Sequence, residues 1–231
     1  YIIKTTMYCA VPTVLVMMQP DFGTAFVFIC IMVFIYFIGR ISWGYILTAA
    51  GGLAVCMPLA YYFVLSDSQR ERIDVFINPE SDLQNSGYNV AQSKIAIGSG
   101  QLTGKGFFSE GTLAQLRFVP ERHTDFIFAG IVEGLGFVGG TIIICLFFAL
   151  IFRWIYIAMR TKDSFGTCLV VGVAGMFTAH VFENIGMTIG LMPVTGIPLP
   201  FISYGGSNLL TNLIGVGIVE NVWMRHQSKK R

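Results

Sequence analysis

RFVPERHTDFIFAGIVEGLGF, residues 117–137, joins a charge-dense approach to an apolar run. Glu121, Arg122, His123 and Asp125 place four ionisable groups within five residues, and from Phe126 the chain turns almost wholly apolar. A carboxylate is therefore expected at the boundary where a helix enters an apolar layer. Asp125 is well placed to cap that helix, because its side chain can accept from the unpaired N–H groups of the first turn. Whether it also does chemistry depends on what the rest of the chain brings to the same surface.

The 231 residues are 54% hydrophobic, 14% aromatic and only 12% charged, with a mean hydropathy of +0.68. That is too apolar for an ordinary soluble domain and reads as a polytopic membrane protein. The net charge of +2 is the remainder of 15 basic and 13 acidic residues, so no nucleic-acid-binding surface is indicated. Cys9, Cys30, Cys56, Cys145 and Cys168 sit apart in apolar stretches, giving neither a disulfide framework nor metal spacing, and read as small buried hydrophobes. The first residues, YIIKTTMYCAVP, carry no initiator Met and no small-residue cleavage site, so they are expected to come from the interior of a longer protein.

Apolar runs at 2–18, 22–38, 45–65, 126–152, 165–191 and 205–222 predict about six spans, each crossing most of a roughly 30 Å hydrocarbon core at ~1.5 Å per residue. The stretch 66–124 is polar, crowding Arg70, Glu71, Arg72, Asp74, Glu80 and Asp82, and a loop of that length is functional or disordered. Within it Gln92–Gly100, QSKIAIGSG, precedes Gly104, Gly106 and Gly111 and predicts an interfacial or re-entrant segment. The fold class is thus all-α, a polytopic membrane helix bundle with one large extracytoplasmic loop. The basic residues of the short loops set orientation. Lys4, Arg40, Arg153, Arg160, Lys162 and the terminal Arg225, Lys229, Lys230 and Arg231 fall on one side of six alternating spans. That side is the cytoplasm, so the polar loop, Asp21 and the turn Pro193–Gly206 share the outer face.

Four ordered motifs carry a resemblance: QPDFGTA (19–25), GYNVAQSKIAIGSGQLTGKGF (87–107), FVPERHTDFIFA (118–129) and NIGMTIGLMPVTGIPLPFISYGGS (184–207). Together they resemble the SEDS family, the shape, elongation, division and sporulation proteins of bacterial cell-wall synthesis. PERHTDFIFA is more similar to the rod-shape branch than to the division branch. Members have about ten spans, so the resemblance implies that residues 1–231 form the C-terminal part of a multi-pass domain of the bacterial cytoplasmic membrane. The implied activity is polymerisation of lipid II onto a growing glycan strand, beside a class B penicillin-binding protein and among membrane lipids. Asp125 then matches the family's proposed catalytic carboxylate.

The residues offer matching chemistry. A carboxylate can take the proton from an attacking sugar hydroxyl. A polyprenyl diphosphate leaving group needs cations or N–H donors, for which Lys94, Lys105, Arg117 and Arg122 stand in the outer segment. Gln92, Ser99, Asp21, Glu121, His123 and Thr124 complete the candidate substrate-binding set; no resident cofactor is required, and the diphosphate is a place for a divalent cation. Each residue has a plainer role: Lys94 as a snorkelling anchor, Arg122 paired with Glu121, Asp21 as a helix cap. Glu133 lies inside the fourth span, facing a partner or cavity, and His180 and Glu183 are expected to satisfy each other or a neighbouring helix. If those intramembrane residues did the work, the protein would be a lipid II flippase; a scaffold for the transpeptidase is a third alternative.

Overall fold

The computed structural model describes residues 2–19, 21–39, 44, 47–48, 51–52, 58, 61–62, 65, 67–78, 86–107 and 124–228. The third expected span, 45–65, lies mostly outside them. Seven helices are described: α1 (Ile2–Met18), α2 (Phe22–Ile38), α3 (Asp67–Ile77), α4 (Ser86–Ser99), α5 (Ile127–Arg160), α6 (Ser164–Ile189) and α7 (Gly206–Ser228). Both α5, with 34 residues, and α6, with 26, are long and apolar enough to cross a membrane.

The bounds of α1 and α2 coincide with the sequence expectation because the polar Gln19–Asp21 break is unambiguous. Asp21 caps α2, accepting from the Thr24 N–H at 3.0 Å and from its hydroxyl at 2.7 Å. Elsewhere the helices outrun the apolar stretches. α5 continues to Arg160 and α7 to Ser228, because no Pro or Gly breaker intervenes beyond the apolar stretch. The polar loop is in part helical too, and its predicted short piece at 92–100 belongs to α4, which begins at Ser86.

Helix α5 is broken near its start. Gly136 has φ 72 and ψ −172, outside the helical region. In an unbroken helix the carbonyls of Glu133 and Gly134 would accept from the N–H groups of Phe137 and Val138. Here all four groups turn to the segment after α4: Lys105 N–H donates to Glu133 O (3.0 Å), Gly106 N–H to Gly134 O (2.9 Å), Phe137 N–H to Gln101 O (2.8 Å) and Val138 N–H to Leu102 O (3.2 Å). The glycines make the approach possible. A Cβ on Gly104 would overlap the Gly134 carbonyl, and one on Gly136 would overlap Gly104 N and Leu102 O. Non-helical backbone at membrane depth is tolerable only when its polar groups are satisfied within protein, and this insertion satisfies them.

Lower in the bundle, α6 is the central helix, packed by α2, α5 and α7. Trp154, Ile157, Val170, Ala174, Phe177 and Val219 form its main buried cluster, bordered by Phe34 and Ile38 of α2. The Trp154 and Phe177 rings meet edge to face, 4.7 Å apart at 90°. Small residues set the helix spacing, as expected where lipid removes the hydrophobic drive for association: a Cβ on Gly175 would lie 3.1 Å from Phe34 Cβ and 3.2 Å from Ile31 Cα. The cysteines depart from expectation. Cys145 and Cys168 are exposed on outward helix faces and Cys9 and Cys30 are half-buried, since an apolar sequence stretch in a membrane bundle points outward as readily as inward. Cys56 lies outside the described residues.

Two glycines of α5 should respond oppositely to alanine. Gly136→Ala combines a left-handed φ with backbone overlap and should cost about 3 kcal/mol or more. Gly130, with no atom within 4 Å of its added Cβ, should tolerate alanine within about 1 kcal/mol. Thermal unfolding of the purified intact protein distinguishes the two.

Candidate functional site

Asp125 lies at the end of the bundle where the α1–α2 turn and residues 193–203 meet: a Cβ on Gly23 would overlap Ile197 and Thr195 side chains. The capping expectation is corrected here. The N-cap of α5 is Phe126, with no side-chain cap bond, and the helix starts at Ile127. Asp125 sits one residue too early because its backbone is held by a different helix. Asn184 of α6, fully buried, donates through Nδ2 to the carbonyl of Asp125 (2.9 Å) and to that of Ile197 (2.8 Å). Beside it, Ser203 Oγ donates to the carbonyl of Thr124 (2.6 Å) and accepts from Leu199 N–H (2.8 Å). Two consecutive carbonyls, those of Thr124 and Asp125, are thereby fixed to α6 and to the Pro/Gly-rich turn.

The half-buried carboxylate of Asp125 is turned toward that turn. A Cβ on Gly196, itself at φ 75, would lie 3.5 Å from Asp125 Oδ2. That distance is ordinary contact, so what this position asks of glycine is the left-handed φ, which costs it little.

A cleft opens next to this point. Phe126 packs with Val90 of α4 and Val194 of the turn, and one helical turn beyond Val90 stands Lys94. The cleft has an empty volume of about 340 Å³ including its mouth, and its lining includes Arg72, Phe76, Val90, Lys94, Met192 and Val194. Two cations thus edge an otherwise largely apolar recess. Arg72 is long-bonded to Val194 O at 3.5 Å. Lys94 lies over Gly190, the left-handed C-cap of α6, where a Cβ would overlap its Nζ; an ammonium there also complements the negative end of that helix. Ser93, wholly buried, fixes the register by donating to Thr188 O at 2.8 Å.

The remaining candidates divide. Ser99 donates to Ala96 O (2.9 Å) and Glu133 Oε1 (3.4 Å), and Lys105 Nζ is 3.8 Å from the same Glu133 oxygen. The partner of buried Glu133 is therefore in this chain, and both side chains serve the α5 insertion. Asp21 has its carboxylate oxygens engaged by Thr24, and Gln92 is half-buried on α4. Arg117, Glu121, Arg122 and His123 lie outside the described residues. His180 and Glu183 do not hydrogen-bond to each other. His180 Nδ1 and both Glu183 carboxylate oxygens lack partners of ordinary geometry, the Thr195 hydroxyl near Glu183 being turned toward Met187 Sδ at 4.0 Å. Sequence reasoning missed Asn184 and Ser203 as site residues, although both stand inside the last of the four motifs, and counted Arg72 only as part of a charged crowd.

Replacing Asn184 tests the lock itself. Asn184→Asp keeps the shape but removes both donors, leaving two buried carbonyls to an anion; it should destabilise the protein by about 3 kcal/mol or more, and Asn184→Ala by about 1–3 kcal/mol. The measurements are thermal unfolding and protease cleavage at residues 193–203.

The sequence profile FTSW_RODA_SPOVE, a cell cycle protein family, matches residues 1–228. Peptidoglycan glycosyltransferase MrdB of Escherichia coli (strain K12) is 45% identical over 211 residues, 91% of this chain and 57% of that protein. Stage V sporulation protein E of Bacillus subtilis (strain 168) is 42% identical over 215 residues, 90% of this chain and 56% of that one. A solved chain from work on the structural coordination of polymerization and crosslinking by a peptidoglycan synthase complex superposes with a TM-score of 0.78 at 29% identity, over 96% of this chain and 61% of its own length. The chain thus spans a little over half the length of these curated relatives. With the profile matched from end to end of the described helices, the chain belongs to the FtsW/RodA/SpoVE family.

Proposed function

We propose that this chain is part of a glycosyltransferase that polymerises lipid II in the bacterial cytoplasmic membrane, with the Asp125 end of an approximately six-span bundle facing outward. The observation that carries the proposal is Asp125, whose backbone carbonyl is held by Asn184 and whose neighbour's carbonyl, that of Thr124, is held by Ser203, beside a cleft edged by Lys94 and Arg72. The names of the relatives as peptidoglycan glycosyltransferases support it.

In this scheme the acceptor sugar's 4-hydroxyl gives its proton to Asp125 as its oxygen attacks the anomeric carbon of the donor with inversion. The bond from that carbon to the diphosphate oxygen breaks, and the polyprenyl diphosphate leaves with the electron pair. Lys94 and Arg72 neutralise the charge it gains, which a low-dielectric cleft makes more effective than water would. Arg117, Arg122, Glu121, His123 and Thr124 are further candidates for contacting the substrate, while Lys105 and Ser99 hold the inserted segment. A divalent cation would travel with the diphosphate as part of the substrate, and a class B penicillin-binding protein is the expected crosslinking partner.

Asp125→Asn in the intact protein should lower glycan synthesis from detergent-solubilised lipid II by about 10²–10⁴-fold, the range of a general base, with thermal stability unchanged. Unchanged synthesis would remove Asp125 from the chemistry. If His180 or Glu183 substitutions abolished lipid II transport while Asp125→Asn did nothing, the flippase alternative would hold instead. Lys94→Gln should lower kcat/KM about tenfold or more through a lost charge-assisted contact.

A further inference from the structure

The opposite end of the bundle carries a second constellation, far from Asp125 and unused by the scheme above. Near the end of α5, the Arg153 guanidinium carbon lies 5.6 Å from the Tyr156 ring centre and 5.2 Å from that of Trp223 on α7. Arg160 lies 5.1 Å from the same Tyr156 ring. Two cations and two rings therefore form one connected cluster bridging α5 and α7.

Three features indicate what the cluster receives. Neither guanidinium has a carboxylate within 4.0 Å among the described residues, where the ion pair found is Lys105 with Glu133. Both arginines are exposed, and ring contacts restrain their planes while leaving edge N–H groups to fork onto an anion. The neighbouring face of α5 is apolar and open: Phe148, Phe152 and Met159 are 64%, 73% and 73% exposed. Arg153, Tyr156 and Arg160 share one face of the helix by their spacing of three and four, and Phe148, Phe152 and Met159 run beside it. A fixed phosphate-binding fork next to an open apolar stripe, at the basic end of a membrane bundle, matches an amphiphile with an anionic phosphodiester head.

We propose that Arg153 and Arg160, restrained by Tyr156 and Trp223, form a binding site for an anionic phospholipid of the cytoplasmic leaflet, its phosphodiester between the guanidinium groups and an acyl chain along Phe148, Phe152 and Met159. This goes beyond charge that merely sets orientation, for which lysine would serve equally. It does not rest on the role of Asp125.

The test is native mass spectrometry and thermal unfolding of the intact protein in neutral detergent, titrated with phosphatidylglycerol, phosphatidylcholine or inorganic phosphate. Phosphatidylglycerol should bind about tenfold or more tightly than phosphatidylcholine and raise the unfolding temperature, whereas inorganic phosphate should do neither at matched concentration. Arg153→Gln with Arg160→Gln should abolish the preference. Arg153→Lys with Arg160→Lys keeps both charges, and so membrane sidedness and folding, yet should weaken phosphatidylglycerol binding several-fold because the fork is lost. Equal binding of the two lipids, a full effect from inorganic phosphate alone, or undiminished binding in the lysine variant would each overturn the proposal.

Discussion

One side-chain amide ties the Asp125 end of this bundle together. Asn184 sits on the central helix, sealed from solvent, and uses its NH₂ group to hold two carbonyls from segments 59 and 13 residues away in sequence. A buried amide donor has no water to fall back on, so breaking either bond strands a polar group in an apolar layer at a cost of about 1–3 kcal/mol. The consequence is geometric as well as energetic. Because α2, α5 and α7 all pack on α6, the amide converts the packing of the whole bundle into the position of Asp125 and the turn above it. The carboxylate is thus carried by a loop yet referenced to the central, most packed helix.

A second exchange of backbone partners supports the first. The break at Gly136 frees four groups of α5, and the segment after α4 takes all of them. That docking brings the amphipathic α4 against the bundle, where Ser93 fastens it to the end of α6 and Lys94 comes to the cleft beside Phe126. Val90 packs on Phe126 and Ile97 on the cluster of Phe128 and Val132 as α4 docks, but apolar burial drives little between helices in lipid. Glycines that admit backbone to backbone, and hydrogen bonds that take up the backbone groups freed at Gly136, do the organising.

This division explains what could be read from the sequence. Apolar runs bounded by polar residues located α1 and α2 to the residue and α6 to within a few, because membrane length and a sharp polarity break are local properties. That Asp21, Asp125 and the Pro/Gly turn come to one end of the bundle follows from alternating spans alone. Helix ends beyond the apolar layer were misjudged, since Arg153 and Trp154 prolong a helix as readily as they end a span. Asp125 was expected as a cap and is not one. Its backbone is claimed by Asn184, a tertiary partner that no local pattern announces. Glu133 reads in the sequence as facing a partner or cavity, but not which one, because Lys105 and Ser99 reach it only once the helix breaks, an event set by Gly104 and Gly136 together. Asn184 stands in the sequence only as the first residue of the last motif, and nothing local marks it as the residue that holds Asp125.

The central claim is that this lock delivers the Asp125 carboxylate to the attacking hydroxyl. The most direct measurement is a structure of the intact protein with a non-hydrolysable polyprenyl diphosphate donor and a glycan acceptor bound. The account predicts an Asp125 oxygen about 2.6–3.2 Å from the acceptor 4-hydroxyl, with the Asn184 bonds to Asp125 O and Ile197 O intact. An acceptor hydroxyl held by another residue, with Asp125 turned away from the reacting sugars, would contradict it.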